Sequence, residues 1–265
     1  MRRNVFTYFY VMTVLSFFCT NSLYANNCEQ PEEYLKQDAQ RSLKPDAAET
    51  VFITHSSIHF DPARSTKVGV NHLISFAMDK GIPLFYLHDA GNPVNPFAGY
   101  MYDHCEPDAF IYSEIGHHAL DLKNVRKIYV GGGYFEMCQQ NTVTDSIRSM
   151  AQNPETKQIT VVQVLDAVFS VAQEKEYEDS FYEPLYSLQE NRTFQYGKAT
   201  VSLDEITSLM SGPEVAFEYF GRRIDKMPLP SGWGVELRYL GETLNYRTGS
   251  SGKKVVFNYI RSDDL

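Results

Sequence analysis

The chain has 265 residues, with 24 Lys and Arg against 33 Asp and Glu, a net charge of −9 when the histidines are neutral. An acidic balance of this size argues against nucleic acid or an anionic membrane surface as the main partner. With 18 Tyr, 17 Phe and no repeat or low-complexity tract, the apolar content suits one large domain, or one domain with a sizeable extension.

Residues 1–25 set Arg2 and Arg3 before an apolar stretch from Val5 to Cys19 and close on Ser22-Leu23-Tyr24-Ala25. That is the layout of a secretory signal peptide, and the uncharged run is short for a membrane span. The expectation is a cleaved leader and a secreted or periplasmic mature protein with no stable membrane insertion. Loss of Arg2 and Arg3 takes the net charge from −9 to −11. No lipid attachment box is visible, since Asn26 and Asn27 precede Cys28. Cys28, Cys105 and Cys138 survive cleavage, an odd count that leaves one thiol over in an oxidising compartment. A Cys28–Cys105 bridge spares Cys138, whereas pairing of Cys138 with either partner makes it structural; both stay open.

A polar lead-in fills residues 26–48. Val51-Phe52-Ile53-Thr54-His55 then reads as a first buried strand, followed by a loop containing Phe60-Asp61-Pro62. Val70, Leu73, Ile74 and Ala77 recur at helical spacing and Gly81 follows as a stop. Ile82 to Leu87 is a second strand, ending at His88-Asp89, and a loop rich in Pro, Gly and aromatics leads to a third, Ala109 to Tyr112. Ile128 to Val130 and Ile159 to Leu165 complete five apolar runs. Strands alternating with helices predict a parallel sheet with helices on both faces, and ligands in such sheets sit at the carboxyl ends of strands.

Between the last two strands lies K-I-Y-V-G-G-G-Y-F-E-M-C-Q-Q-N-T-V-T-D-S-I-R-S-M, residues 127–150. The three glycines permit a crowded turn, and from Glu136 to Met150 neither Pro nor Gly interrupts a helix. Cys138 is thereby predicted in the first helical turn beyond a strand end. Unpaired N–H groups and the positive end of the helix dipole stabilise a thiolate there.

Beyond Ser170 the character changes. Glu174 to Asp179 is acidic, residues 182–196 are mixed and loop-like, and Asn191-Arg192-Thr193 is a glycosylation sequon. Ser202-Leu203-Asp204-Glu205 is a capping box opening a short helix to Met210. From Trp233 the side chains alternate: Val235, Leu237 and Tyr239, then Val255, Phe257 and Tyr259 after the turn-rich Gly249-Ser250-Ser251-Gly252. That predicts hairpin-linked strands, a C-terminal antiparallel β extension. The expected layout is a leader over 1–25, the lead-in over 26–48, an α/β domain over 49–175, and a helix plus β-hairpin extension over 176–265.

Spacing around the cysteine carries a resemblance. Gly132 lies six positions before Cys138 and Glu136 two before it, while Thr142, Asp145 and Ser146 follow four, seven and eight after. This resembles the signature G-x-x-[TA]-[ED]-x-C-V-x-x-T-A-x-D-A of the isochorismatase-like cysteine hydrolases, which include nicotinamidases and N-carbamoyl amidohydrolases. Gln139 and Val143 replace the Val and Ala after the Cys and Thr, and Tyr134-Phe135 fill the middle. A second echo is I-T-V-V-Q-V-L-D, Ile159 to Asp166, followed by Ala167, similar to the family's next buried strand ending in Asp-Ala. The resemblance implies a three-layer α/β fold, here with a trimmed segment between Ser113 and Gly132, and hydrolysis of amide-type C–N bonds.

It also implies a Cys-Lys-Asp triad, and two of those identities are missing. Where the family's Asp ends the first strand, this chain has Thr54 or His55, and where its Lys ends the third, the chain has Ser113. The metal-binding Asp-x-His of nicotinamidases is not reproduced, because Ala90 and Gly91 follow Asp89. All seven histidines fall between His55 and His118. His55 is a candidate base toward Cys138, with Asp89 or Glu114 as the orienting carboxylate; the plainer alternative makes these histidines loop residues packing under an aromatic lid. A metal site from His55, His88, His104 and His117 or His118 lacks any tight ligand spacing, and the triple glycine lacks the Lys-Ser/Thr of a phosphate cradle. The candidate residues are therefore Cys138, His55, Ser113 and Asp89, with Gly132, Gly133 and Tyr134 as the substrate or oxyanion loop, and neither metal nor cofactor. Two functions remain: a degenerate, non-catalytic binder of a small molecule or protein partner, or a divergent cysteine hydrolase with His55 as base.

Overall fold

The structure, a computed structural model, describes residues 47–54, 66–89, 109–113, 121–135, 138–171, 200–210 and 212–265. The leader, Cys28, His55, His104, Cys105, Glu114, His117 and His118 lie outside these residues.

The expected apolar runs form β1 (Glu49–Thr54), β2 (Leu84–Asp89), β3 (Ala109–Ser113), β4 (Lys127–Gly131) and β5 (Gln158–Val164). Between them run helices α1 (Lys67–Lys80) and α2 (Cys138–Ala151). Gly81 ends α1 as predicted: at φ 63° it takes the left-handed conformation and donates its N–H to the Ala77 and Met78 carbonyls. After β5, a 3-10 turn (Leu165–Ala167) leads to β6 (Phe169–Val171), which pairs antiparallel with β7 (Thr200–Ser202) apart from the main sheet. Helix α3 (Leu203–Leu209) opens on the predicted capping box, Ser202 accepting from the Glu205 N–H and Glu205 from the Ser202 N–H. Then come α4 (Pro213–Asp225), β8 (Gly234–Tyr239), β9 (Glu242–Arg247) and β10 (Lys254–Ile260).

The main sheet has the order β3-β2-β1-β4-β5-β10-β8-β9, parallel throughout except for β9, which returns antiparallel along β8. The antiparallel extension is thus the β8–β9 hairpin, and β10 threads back between β5 and β8. Val255, Val256 and Phe257 are all fully buried, so β10 is covered on both faces, as a parallel central strand must be. β9 closes the edge, with every side chain but Tyr246 exposed.

Helices cover both faces of the sheet. On one, Val70, Leu73, Ile74 and Ala77 of α1 pack with Val51 and Ile53 of β1 and Val162 and Val164 of β5. On the other, Val143, Ile147 and Met150 of α2 and Tyr219, Phe220 and Ile224 of α4 join Ile128, Val161 and Phe257. Helix α4 went unread in the sequence although it carries a Pro at its start and buried Ala216, Tyr219, Phe220 and Ile224 at helical spacing. None of the helices among the described residues is long and apolar enough to cross a membrane.

Candidate functional site

Strand β4 hands over to α2 through the glycine turn, and the turn is pressed against the carboxyl end of β1. Gly132 and Gly133 sit at φ 66° and 70°, where a side chain is strained. Close approach adds to the requirement. A Cβ on Gly132 would overlap the Thr54 carbonyl oxygen, and one on Gly133 would come within 3.0 Å of both the Cys138 sulfur and the Thr54 methyl. Sulfur and methyl thus flank one gap, which glycine leaves open.

Each peptide unit of the turn is tied down. The Gly132 N–H donates to the Ala167 carbonyl at 2.6 Å, and the Phe169 N–H donates to the Gly133 carbonyl at 3.3 Å. Both acceptor and donor come from the segment just after β5, where the Leu165–Ala167 turn also receives α1. That contact is tight as well, for a Cβ on Gly69 would overlap the Asp166 carbonyl. The Tyr134 ring meets the Phe169 ring edge to face, with centroids 4.6 Å apart.

Cys138 is the first residue of α2, half-buried and in the thiol form. Its sulfur accepts the Tyr134 N–H at 3.1 Å and, as a thiol, donates to the Tyr134 carbonyl at 3.7 Å. Its carbonyl accepts the Thr142 hydroxyl at 2.9 Å, and Thr142 Oγ1 lies 3.5 Å from Thr54 Oγ1. A backbone donor and the N-terminal end of a fourteen-residue helix both favour negative charge on the sulfur.

Of the residues singled out in the sequence, the structure brings together Gly132, Gly133, Tyr134 and Cys138, with Thr54 at the end of β1 beside them. Asp89 and Ser113 are register partners at the carboxyl ends of β2 and β3. They lie two residues beyond the row of Thr54, Leu87 and Ile111, on the side of β1 away from β4. Among the described residues no cluster of three His, Cys, Asp or Glu could hold a metal.

Two residues of this region were not among the candidates, although Gln139 stood out as a replacement of the expected Val. Gln139, buried behind the turn, donates from Nε2 to the Gly131 carbonyl at 2.9 Å and to the Gly132 carbonyl. Gln163, buried on β5, reaches Gln139 Oε1 at 3.5 Å. The signal was a polar residue inside V-V-Q-V-L, an otherwise unbroken apolar strand.

A mainly parallel sheet with helices on both faces and Cys138 opening the helix after β4 is the architecture that the sequence resemblance implies. No protein-family model and no curated protein sequence matches the chain. Similar solved structures include the pyrazinamidase of Pyrococcus horikoshii in complex with zinc, at 17% identity and a TM-score of 0.39, covering 55% of this chain and 96% of that one. A putative isochorismatase from Burkholderia xenovorans LB400 is 12% identical with a TM-score of 0.41, over 67% of this chain and 98% of its own. An isochorismatase from Pseudomonas putida KT2440 is 10% identical with a TM-score of 0.40, over 82% of this chain and 90% of its own.

Proposed function

We propose that this is an exported, divergent isochorismatase-like protein that keeps the nucleophile-position cysteine and has lost the family's amide hydrolysis, binding a small molecule or protein partner over Cys138 instead. The observation that carries the reading is Thr54. It ends β1 beside the sulfur niche, where the resemblance calls for the Asp that serves as general base and the chain has Thr54 or His55; with Thr54 in that place, the hydroxyl does not take up a proton at neutral pH. Ser113, at the end of β3, likewise replaces the ammonium group of the expected Lys. What the niche retains is a half-buried thiol, a backbone donor on the sulfur and a helix start, which suit anion or carbonyl binding as well as nucleophilic attack.

The test is ammonia release by the mature chain, residues 26–265, from primary carboxamides and N-carbamoyl amines, with Cys138→Ser as control. The reading expects no turnover that depends on Cys138. Ammonia release abolished by Cys138→Ser overturns it and supports the second reading.

That second reading, a cysteine hydrolase with His55 as base, is favoured by the Tyr134 N–H on the sulfur and by chain connectivity, since His55 directly follows Thr54. In it the thiol proton passes to the imidazole, the sulfur adds to the amide carbonyl, the amine departs with that proton, and water releases the acyl group. If it holds, His55→Ala changes the pH dependence of Cys138 alkylation; an unchanged profile removes His55 from the mechanism.

A further inference from the structure

Gln139 and Gln163 are fully buried on a face otherwise made of residues such as Val130, Val143 and Val161. Their orientations follow from one another. Backbone carbonyls only accept, so Gln139 must turn its nitrogen toward Gly131 and Gly132 and its oxygen away. That oxygen then requires a donor, which Gln163 supplies through its own nitrogen. The chain of donors ends there: Gln163 Oε1 has no partner among the described residues, nor has the hydroxyl of Tyr259, its register partner on β10. A buried acceptor without a donor is a net cost to folding, and apolar side chains of similar size avoid it. That cost falls on Gln163, since Gln139 has partners for both its nitrogen and its oxygen.

What they do supply is direction. The Gly131–Gly132 peptide is clamped at both ends, its oxygen by Gln139 and its N–H by the Ala167 carbonyl. Gln139 also holds the Gly132 carbonyl. With those two units fixed, the next one, Gly133–Tyr134, has its oxygen on Phe169 and its N–H on the Cys138 sulfur. Glycines at positive φ rotate readily once released.

We propose that Gln139 and Gln163 are positioning residues that set the reactivity of Cys138, Gln163 orienting Gln139 and Gln139 holding the turn so that the Tyr134 N–H stays on the sulfur. The proposal deepens the functional reading, resting on its view of Cys138 as the reactive position but not on whether amides are turned over. The relay is a departure from the resemblance, which has Val where Gln139 stands.

The experiment measures the rate of iodoacetamide alkylation of Cys138 against pH, by mass spectrometry, in the mature wild type, Gln139→Met, Gln163→Met and the double variant, with circular dichroism and the thermal midpoint recorded alongside. Gln139→Met should raise the midpoint of the pH profile and slow alkylation at neutral pH roughly threefold, the equivalent of half a pKa unit. Gln163→Met should act in the same direction and less, and the double variant should match Gln139→Met alone, because one residue works through the other. Profiles identical to wild type in folded variants overturn the proposal, as do additive effects. Should the variants not fold, wild-type NMR decides: the Gln139 side-chain amide protons should exchange slowly with solvent, and exchange as fast as an exposed glutamine contradicts the clamp. Ammonia release bears on the functional reading alone, and these profiles on the relay alone.

Discussion

The backbone N–H of Tyr134 points at the sulfur of Cys138 across 3.1 Å, four residues before it in the chain. That contact exists because two glycines with positive φ fold the chain back on itself between β4 and α2. The turn in turn is wedged between the end of β1 and the segment after β5. Three separate parts of the sequence thus shape the surroundings of one sulfur atom.

The glycines of this turn should be far less tolerant than a glycine of equal φ elsewhere. A Cβ added to Gly81 would meet nothing within 4 Å, so Gly81→Ala carries only the left-handed penalty, about 1 kcal/mol. Gly132→Ala adds overlap with a backbone oxygen that cannot move aside, and should cost at least ~3 kcal/mol. Gly133→Ala meets the sulfur and the Thr54 methyl, so it should also slow Cys138 alkylation. Urea unfolding of the three variants checks the ranking; equal losses at Gly81 and Gly132 would show that the close approach to Thr54 is not real.

A clasp at the chain's end supports the same region from behind. Asp166 accepts the Ser262 N–H at 2.8 Å and its hydroxyl at 2.5 Å, while the next residue, Ala167, holds the Gly132 N–H. Asp166→Ala removes both bonds and should destabilise the fold by roughly 2–3 kcal/mol, with Ser262→Ala costing less because the backbone bond survives. Denaturant midpoints read this directly, and a larger loss for Ser262→Ala refutes the assignment.

At the far side of the sheet, Glu236 on β8 accepts from Lys254 at 2.5 Å and from Arg238 Nε at 2.6 Å. The Lys254 hydrogen bond, with Arg238 adding to it against the cost of burial, holds its carboxyl below the ordinary 4.5. A carboxylate whose folded pKa is depressed contributes stability that is present above its unfolded value and lost as pH falls through the folded one. Glu236→Gln should therefore cost about 1 kcal/mol near neutrality, the partners being partly exposed, with the difference from wild type shrinking below pH ~4.5. A difference that stays constant down to acid pH means the ion pairs contribute nothing to folding.

Tyr259 offers the opposite case. Its hydroxyl is buried without a partner among the described residues, and burial pushes its pKa well above the usual tyrosine range, so it stays neutral. Its ring stacks on Phe220 with centroids 3.7 Å apart. Tyr259→Phe keeps the stacking and removes the orphaned oxygen, so stability should hold or rise by up to ~1 kcal/mol. A clear loss in thermal midpoint would reveal a partner for the hydroxyl.

How much of this was readable beforehand differs by element, for physical reasons. The first five strands announce themselves as short apolar runs, and Cys138 at a helix start follows from three glycines and an unbroken helical stretch. The path of β10 did not follow, because alternation at Val255, Phe257 and Tyr259 suggests a half-exposed hairpin strand, whereas Val256 is buried on the opposite face. Periodicity reports one face and is silent on whether the other is covered. The glutamine relay was hidden differently: Gln139 was visible as a departure from the expected Val, but only the position of Gln163 on the neighbouring strand gives it meaning. His55, offered as base, lies outside the described residues, and Asp89 and Ser113 are placed by backbone register alone.

Both functional readings meet in the pH dependence of Cys138 alkylation in the mature wild-type protein. A sulfur held by the Tyr134 N–H at the start of α2 should titrate below the ordinary thiol value of about 8.5 and react with iodoacetamide faster at neutral pH than an unstructured cysteine peptide. A midpoint at or above that value, or a Cys138 that resists labelling until the protein is reduced, would contradict the thiolate niche on which both readings stand.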